Sequence, residues 1–149
     1  MLTDLLYGTF IITAIVIFHI GALILLALFI KHLNKTNPHF QGNLGNFYIL
    51  LFSVFVIIAI HTVEAWVWAY VYMSLGEFAN FEKALYFSVV TSTTLGYGDI
   101  TLSPEWQLLS TFEAMGGLLL FGVSTAFLFA VTRALLENIV KQPPDEHED

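Results

Sequence analysis

Three stretches of this chain are too long and too apolar to fold in water. They run from Leu5 to Ile30, from Phe47 to Ser74, and from Trp106 to about Val140. Each exceeds the ~20 apolar residues that a helix needs to cross a hydrocarbon core, and the first is apolar all round instead of along one stripe. Charged residues make up 11% of the 149 positions and hydrophobic ones 57%, whereas a soluble domain carries about 25% charge. The expected fold class is therefore an all-α membrane protein with three transmembrane helices. The first stretch is read as a retained helix and not a cleaved signal, because MLTDLLYG has no basic region and no small-residue cleavage site follows. The absence of cysteine excludes disulfides, thiol catalysis and thiolate metal sites.

The segments between these runs have distinct characters. KHLNKTNPHFQGNLGN, with Pro38, Gly42 and Gly45, reads as a loop. Trp66, Trp68, Tyr70 and Tyr72 crowd the end of the second run, as aromatic side chains do at a membrane interface. Ser103-Pro104-Glu105 reads as a helix start, with a capping hydroxyl, a first-turn proline and an acid suited to the dipole. Between the second and third runs lies NFEKALYFSVVTST, which Asn80 can cap. Its apolar part, Ala84 to Val90, is too short to cross, so it reads as a re-entrant helix.

The chain carries only five basic residues. Lys31 and Lys35 flank the first loop, and Arg133 and Lys141 flank the end of the third run. Three crossings put both places on one face, which the positive-inside rule makes cytoplasmic. The N-terminus is then outside and the C-terminus cytoplasmic, in a multi-pass protein of the plasma membrane.

After the short helix comes TSTTLGYGDI, residues 91 to 100. Non-helical backbone at membrane depth must be buried in protein or line a watery path. Alternate glycines permit positive φ at alternate residues, so that successive carbonyls can point one way. A stack of such carbonyls, with the Thr94 hydroxyl below, would replace the water around a monovalent cation, while Tyr97 braces the wall.

ALYFSVVTSTTLGYGDI resembles the pore helix and selectivity filter of the potassium channels, whose carbonyl-lined filter is a standard example of ion selectivity. Gly117 and the FGVSTA segment (121 to 126) extend the resemblance into the third run, and it covers roughly residues 47 to 140. It implies a homotetramer with one fourfold pore, conducting K⁺ passively across the lipid bilayer. The implied organisation is an extra helix over 1–33, a cytoplasmic loop over 34–45, and a pore domain over 46–140. Within the pore domain it gives an outer helix over 46–74, a pore helix over 80–93, the filter over 94–99 and an inner helix over 104–140. An acidic tail occupies 141–149. By the same resemblance Thr94, Leu95, Gly96 and Tyr97 are the K⁺ ligands and Gly98 shapes the outer mouth. Asp99 sits behind the filter, Gly116 and Gly117 offer a gating hinge, and Leu118, Phe121, Thr125 and Phe129 line the cavity. Leu95 stands where valine is commoner, and Val90 where some members have a glutamate. Tyr86 stands where tryptophan is common, and its side chain either donates its hydroxyl to Asp99 or simply packs.

Several alternatives stay open at this point. Glu64, with His61 three residues earlier, and Glu113 lie inside the second and third runs, and His19 lies inside the first. Ionisable groups there are costly and need a reason. They are either hydrogen-bonded packing groups or a proton-sensing set. Gly116-Gly117 is either the hinge or a place of close helix packing. The tail is either solvated or a cation concentrator. Beside the potassium channel stand a weakly selective cation channel and a non-conducting membrane interaction subunit. No phosphate loop, metal-ligand cluster or nucleophile constellation is expected: His61-Thr-Val-Glu64 resembles a fragment of a metal-binding helix, but offers one His and one Glu only. Nothing basic suggests nucleic acid, so neither enzyme nor nucleic-acid binder is expected. No cofactor is expected beyond K⁺ as permeant ion.

Overall fold

The computed structural model describes residues 2–36 and 42–141; the Asn37–Gln41 part of the expected loop and the tail beyond Lys141 lie outside them. Four helices follow in order: α1 (Leu2–Thr36), α2 (Asn43–Ser74), α3 (Phe81–Ser92) and α4 (Gln107–Lys141). Among the described residues there is no strand. Three helices are long and apolar enough to cross a membrane, over Asp4–Thr36, Asn43–Ser74 and Gln107–Glu137. At 1.5 Å per residue, the 12 residues of α3 fall well short of the ~30 Å core.

Lipid offers the helices no hydrophobic reason to associate, so small residues and buried polar bonds take that part. Gly8 on α1 lies against the Phe112 ring of α4, and Gly116 on α4 lies against Ile12 of α1. The first and last helices thus seat into each other. The main apolar cluster joins Ile15, Trp68, Tyr72, Phe87, Leu109 and Leu120, one or more from each helix. Leu26 and Ile30 meet Ile49 and Leu135 toward the opposite end. Hydroxyls with no tertiary partner bond to their own helix, as Ser53 does to the Ile49 carbonyl at 2.7 Å.

Three details depart from the sequence-based expectations. The loop is shorter at both ends than expected: residues 31–36 complete α1, and residues 43–46 open α2, where Gly45 is buried. Of the four aromatics at the end of α2, Trp66 and Tyr70 face outward, but Trp68 and Tyr72 are buried. Helical geometry sends alternate residues to opposite sides, so only half the group can reach an interface. Ser103 does not cap α4, which begins three residues after Pro104. Its N–H and hydroxyl both donate to the Glu77 carboxylate, at 2.7 Å each.

Glu77 is available because α2 ends in a Schellman motif. Gly76 has φ +79°, its N–H donates to the Met73 carbonyl at 3.0 Å, and the Glu77 N–H donates to that of Tyr72 at 3.0 Å. Glycine is the residue that enters this left-handed position without strain. The turn aims Glu77 at the segment before α4 and so fixes where the last helix begins.

Candidate functional site

Helix α3 sets the site's geometry. The Asn80 side chain accepts from the Glu82 N–H at 2.7 Å, and Glu82 stands in the first turn, where the dipole favours an acid. The other end closes at Thr93, whose hydroxyl donates to the Val89 carbonyl at 2.6 Å. The Leu95 and Gly96 N–H groups both turn back onto the Val90 carbonyl, at 3.0 and 3.2 Å.

Beyond that point the backbone alternates. Thr94, Gly96 and Gly98 have φ of 58°, 53° and 76°, with Leu95 and Tyr97 between them. The two glycines were legible as positive-φ positions. Thr94 was not, because a β-branched residue there is strained and belongs to functional backbone more than to ordinary turns. Among the described residues, no carbonyl from Thr94 to Gly98 accepts a hydrogen bond within the chain. Leu95 and Tyr97 are exposed.

The Tyr86 hydroxyl donates to Asp99 Oδ2 at 2.8 Å, tying the segment after Gly98 to the middle of α3. That bond raises the tyrosine's pKa above its ordinary value. The protonated form makes the bond, so the latch is complete at neutral pH. It is lost only as pH climbs through the raised value. Tyr86→Phe is expected to fold normally but to hold the segment less firmly. Amide exchange of residues 96–99, corrected for the intrinsic rate, should quicken severalfold at neutral pH and should lack the alkaline rise of the parent protein. Hydrogen exchange measured from pH 7 to 11 checks both statements.

The intramembrane ionisable residues form two clusters. Glu113 is fully buried on α4, and it accepts from Tyr72 of α2 and Ser88 of α3, both at 2.5 Å. It therefore pins α3 between the two long helices. Glu64 is the centre of the second cluster. One oxygen meets His19 Nδ1 at 2.7 Å and the other meets His61 Nδ1 at 2.9 Å. Ser124 of α4, which the sequence pattern did not single out, contacts both remaining ring nitrogens, at 3.0 and 3.1 Å. A single serine in an apolar helix gives no sequence signal, and only folding brings it to the histidines.

The remaining site residues divide. Leu118 and Phe129 are largely exposed on α4 and Thr125 lies on the same side. Phe121 is at the margin of that stripe. Its ring lies tilted against that of His61, with centroids 4.3 Å apart, so it is shared with α2 and does not belong wholly to a cavity face. Gly116 and Gly117 lie in unbroken helix. A Cβ at Gly117 would fall inside the van der Waals radius of the Ser92 backbone carbonyl. Close approach of α4 to the end of α3 is thus a sufficient reason for glycine there.

Sequence comparison fits this architecture. The family model described as Ion channel matches residues 47–134, which take in α2, α3, the segment after it and most of α4. No curated protein and no solved structure matches the chain.

Proposed function

The chain belongs to the ion channel family over residues 47–134, and on that premise we propose that it forms a potassium-selective channel from four copies around one axis. Three apolar helices together with this family make it a multi-pass membrane protein and a channel, not an enzyme. The observation that carries the finer reading is the run of free carbonyls from Thr94 to Gly98, on backbone whose φ is positive at every second residue. Backbone of this kind is intolerable in lipid unless something binds it. Four copies facing one another would turn the carbonyls into rings that replace the hydration shell of a permeant K⁺.

In that assembly α3 is a re-entrant pore helix, and its C-terminal carbonyls place negative potential toward the axis. Thr94, Leu95, Gly96 and Tyr97 hold the ion. Leu118, Thr125 and Phe129 face the water-filled vestibule beneath. Their exposure in the single chain supports this arrangement. Lys31, Lys35, Arg133 and Lys141 mark the cytoplasmic face, which leaves the N-terminus outside, in the plasma membrane.

Purified protein in liposomes should release K⁺ and not Na⁺, and Ba²⁺ should block the release. It should migrate at four times the 16.7 kDa chain mass. Equal flux of both ions would reject the selectivity. A conducting species that is not fourfold would reject the assembly.

A further inference from the structure

The Glu64 cluster is a closed ring. Going round it, Glu64 meets His19 Nδ1, His19 Nε2 meets Ser124, Ser124 meets His61 Nε2, and His61 Nδ1 returns to Glu64. The gaps are 2.7, 3.1, 3.0 and 2.9 Å, all hydrogen-bond distances. Four gaps need four protons. A carboxylate brings none, two neutral imidazoles bring one each, and the serine hydroxyl brings one. The ring is therefore one proton short whenever both imidazoles are neutral and Glu64 is ionised. One nitrogen lone pair then faces an oxygen lone pair in a buried place, where an unmade bond is costly.

One added proton completes the ring. Both Nδ1–H groups donate to the carboxylate, one Nε2–H donates to Ser124 Oγ, and the Ser124 hydroxyl donates to the other Nε2. The same proton cancels the charge of Glu64, so the cluster becomes neutral within the membrane. The His61 ring also lies tilted against that of Phe121, with centroids 4.3 Å apart, within the distance at which an aromatic ring favours a cation. His61 and Glu64 line a cavity of about 340 Å³ that reaches Ser92 and Gly117.

We propose that His19, His61, Glu64 and Ser124 form a binding site for a single proton, shared between the two imidazoles, and that its occupancy fastens α1 and α2 to α4. When the proton leaves, three protons remain for four gaps and α4 is held through one imidazole instead of two. Among the described residues, the ring's ionisable members come from α1 (His19) and α2 (His61, Glu64). Glu113, on α4, lines the same cavity but is engaged by Tyr72 and Ser88. α3 brings Ser92 and Thr93 to the cavity but no ionisable side chain.

A transition metal is the rival occupant, since the ligand atoms of His19, His61 and Glu64 lie within 4.8 Å of one another. Tetrahedral zinc with bonds of about 2.0–2.1 Å separates its ligand atoms by roughly 3.3 Å. The gaps of 2.7 and 2.9 Å between nitrogen and oxygen are too short for that. Two imidazoles, one carboxylate and a divalent ion would also leave a net positive charge in the membrane.

The test is ¹⁵N NMR of the imidazoles in the full-length protein in bilayers, with His19→Asn and His61→Asn used for assignment. At neutral pH the pair should carry one proton more than two neutral rings, and should lose it as pH rises. Glu64→Gln supplies the missing hydrogen from its own amide. Its ring should close with both imidazoles neutral, one protonated on Nδ1 and the other on Nε2, with no titration near neutral pH. Ser124→Ala should move the parent titration down by about one pH unit, the tenfold in proton affinity that one charged hydrogen bond represents. Two neutral rings in the parent protein at neutral pH would overturn the proposal. So would a titration unmoved by Ser124→Ala. One zinc bound per chain, with both Nδ1 signals shifted by it, would assign the site to a metal instead. None of these readouts depends on which ion the pore conducts.

Discussion

Gly117→Ala is expected to unseat the inner helix. Its new methyl would meet the Ser92 carbonyl and Cα, which are backbone and cannot rotate away. Overpacking a tight interior costs about 1–3 kcal/mol where side chains can adjust, and more where they cannot. The same fault would occur in every copy of a tetramer. The neighbouring glycines calibrate the effect. At Gly116 the obstacle is the far end of Ile12, which can turn aside, and at Gly122 there is open space. The thermal stability of the protein should therefore fall sharply for Gly117→Ala and modestly for Gly116→Ala. Gly122→Ala should hold or gain, since alanine favours helix by about 1 kcal/mol over glycine. Conductance should follow the same order, because Ser92 lies two residues before the positive-φ segment that begins at Thr94. A Gly117→Ala protein that melts like the parent but opens less often would show that bending, not packing, is what glycine supplies there.

Removal of the Glu113 carboxylate is expected to be the other severe change. Glu113→Leu keeps the bulk but strands the Tyr72 and Ser88 hydroxyls, both fully buried. A buried donor left without a partner costs about 1–3 kcal/mol, so two cost roughly 2–6 kcal/mol per chain. Lipid supplies no water to relieve them. Glu113→Gln should be far milder. Its carbonyl can accept from Tyr72, its amide can donate to Ser88 Oγ, and the serine hydroxyl can turn to its own helix. Detergent-resistant assembly and heat-induced dissociation separate the two variants. Equal losses for both would mean that the carboxylate's charge, and not its hydrogen bonding, holds α3.

The helices were legible because a bilayer reads only length and apolarity, which the sequence displays directly. The positions of Asn80 and of the paired glycines around Tyr97 were legible for the same local reason: each acts within a few residues of itself. Ser103 misled, because a serine before a proline is a good cap only if nothing else claims it. Here Glu77, 26 positions earlier in the chain, takes both of its donors. The aromatic group on α2 misled in a similar way, since composition marks a belt but not which of its members face the protein. Ser124 and Phe121 were opaque or half-read because their partners come from other helices. Nothing local distinguishes a serine that completes a ring of histidines from one that bonds its own helix.

The seating of α1 on α4 has a consequence for how the chain is made. α1 packs more extensively on α4 than on α2, yet α2 and α3 leave the ribosome between the two. At synthesis rates of about 5–20 residues per second, the first helix waits on the order of ten seconds for its principal neighbour. During that wait the face bearing Gly8 and Ile12 is bare. His19, an imidazole in the middle of a hydrocarbon layer, needs company sooner, and Glu64 brings it as soon as α2 enters. The carboxylate thus works as a temporary anchor for an early arrival, holding α1 beside α2 until the last helix emerges and closes the bundle.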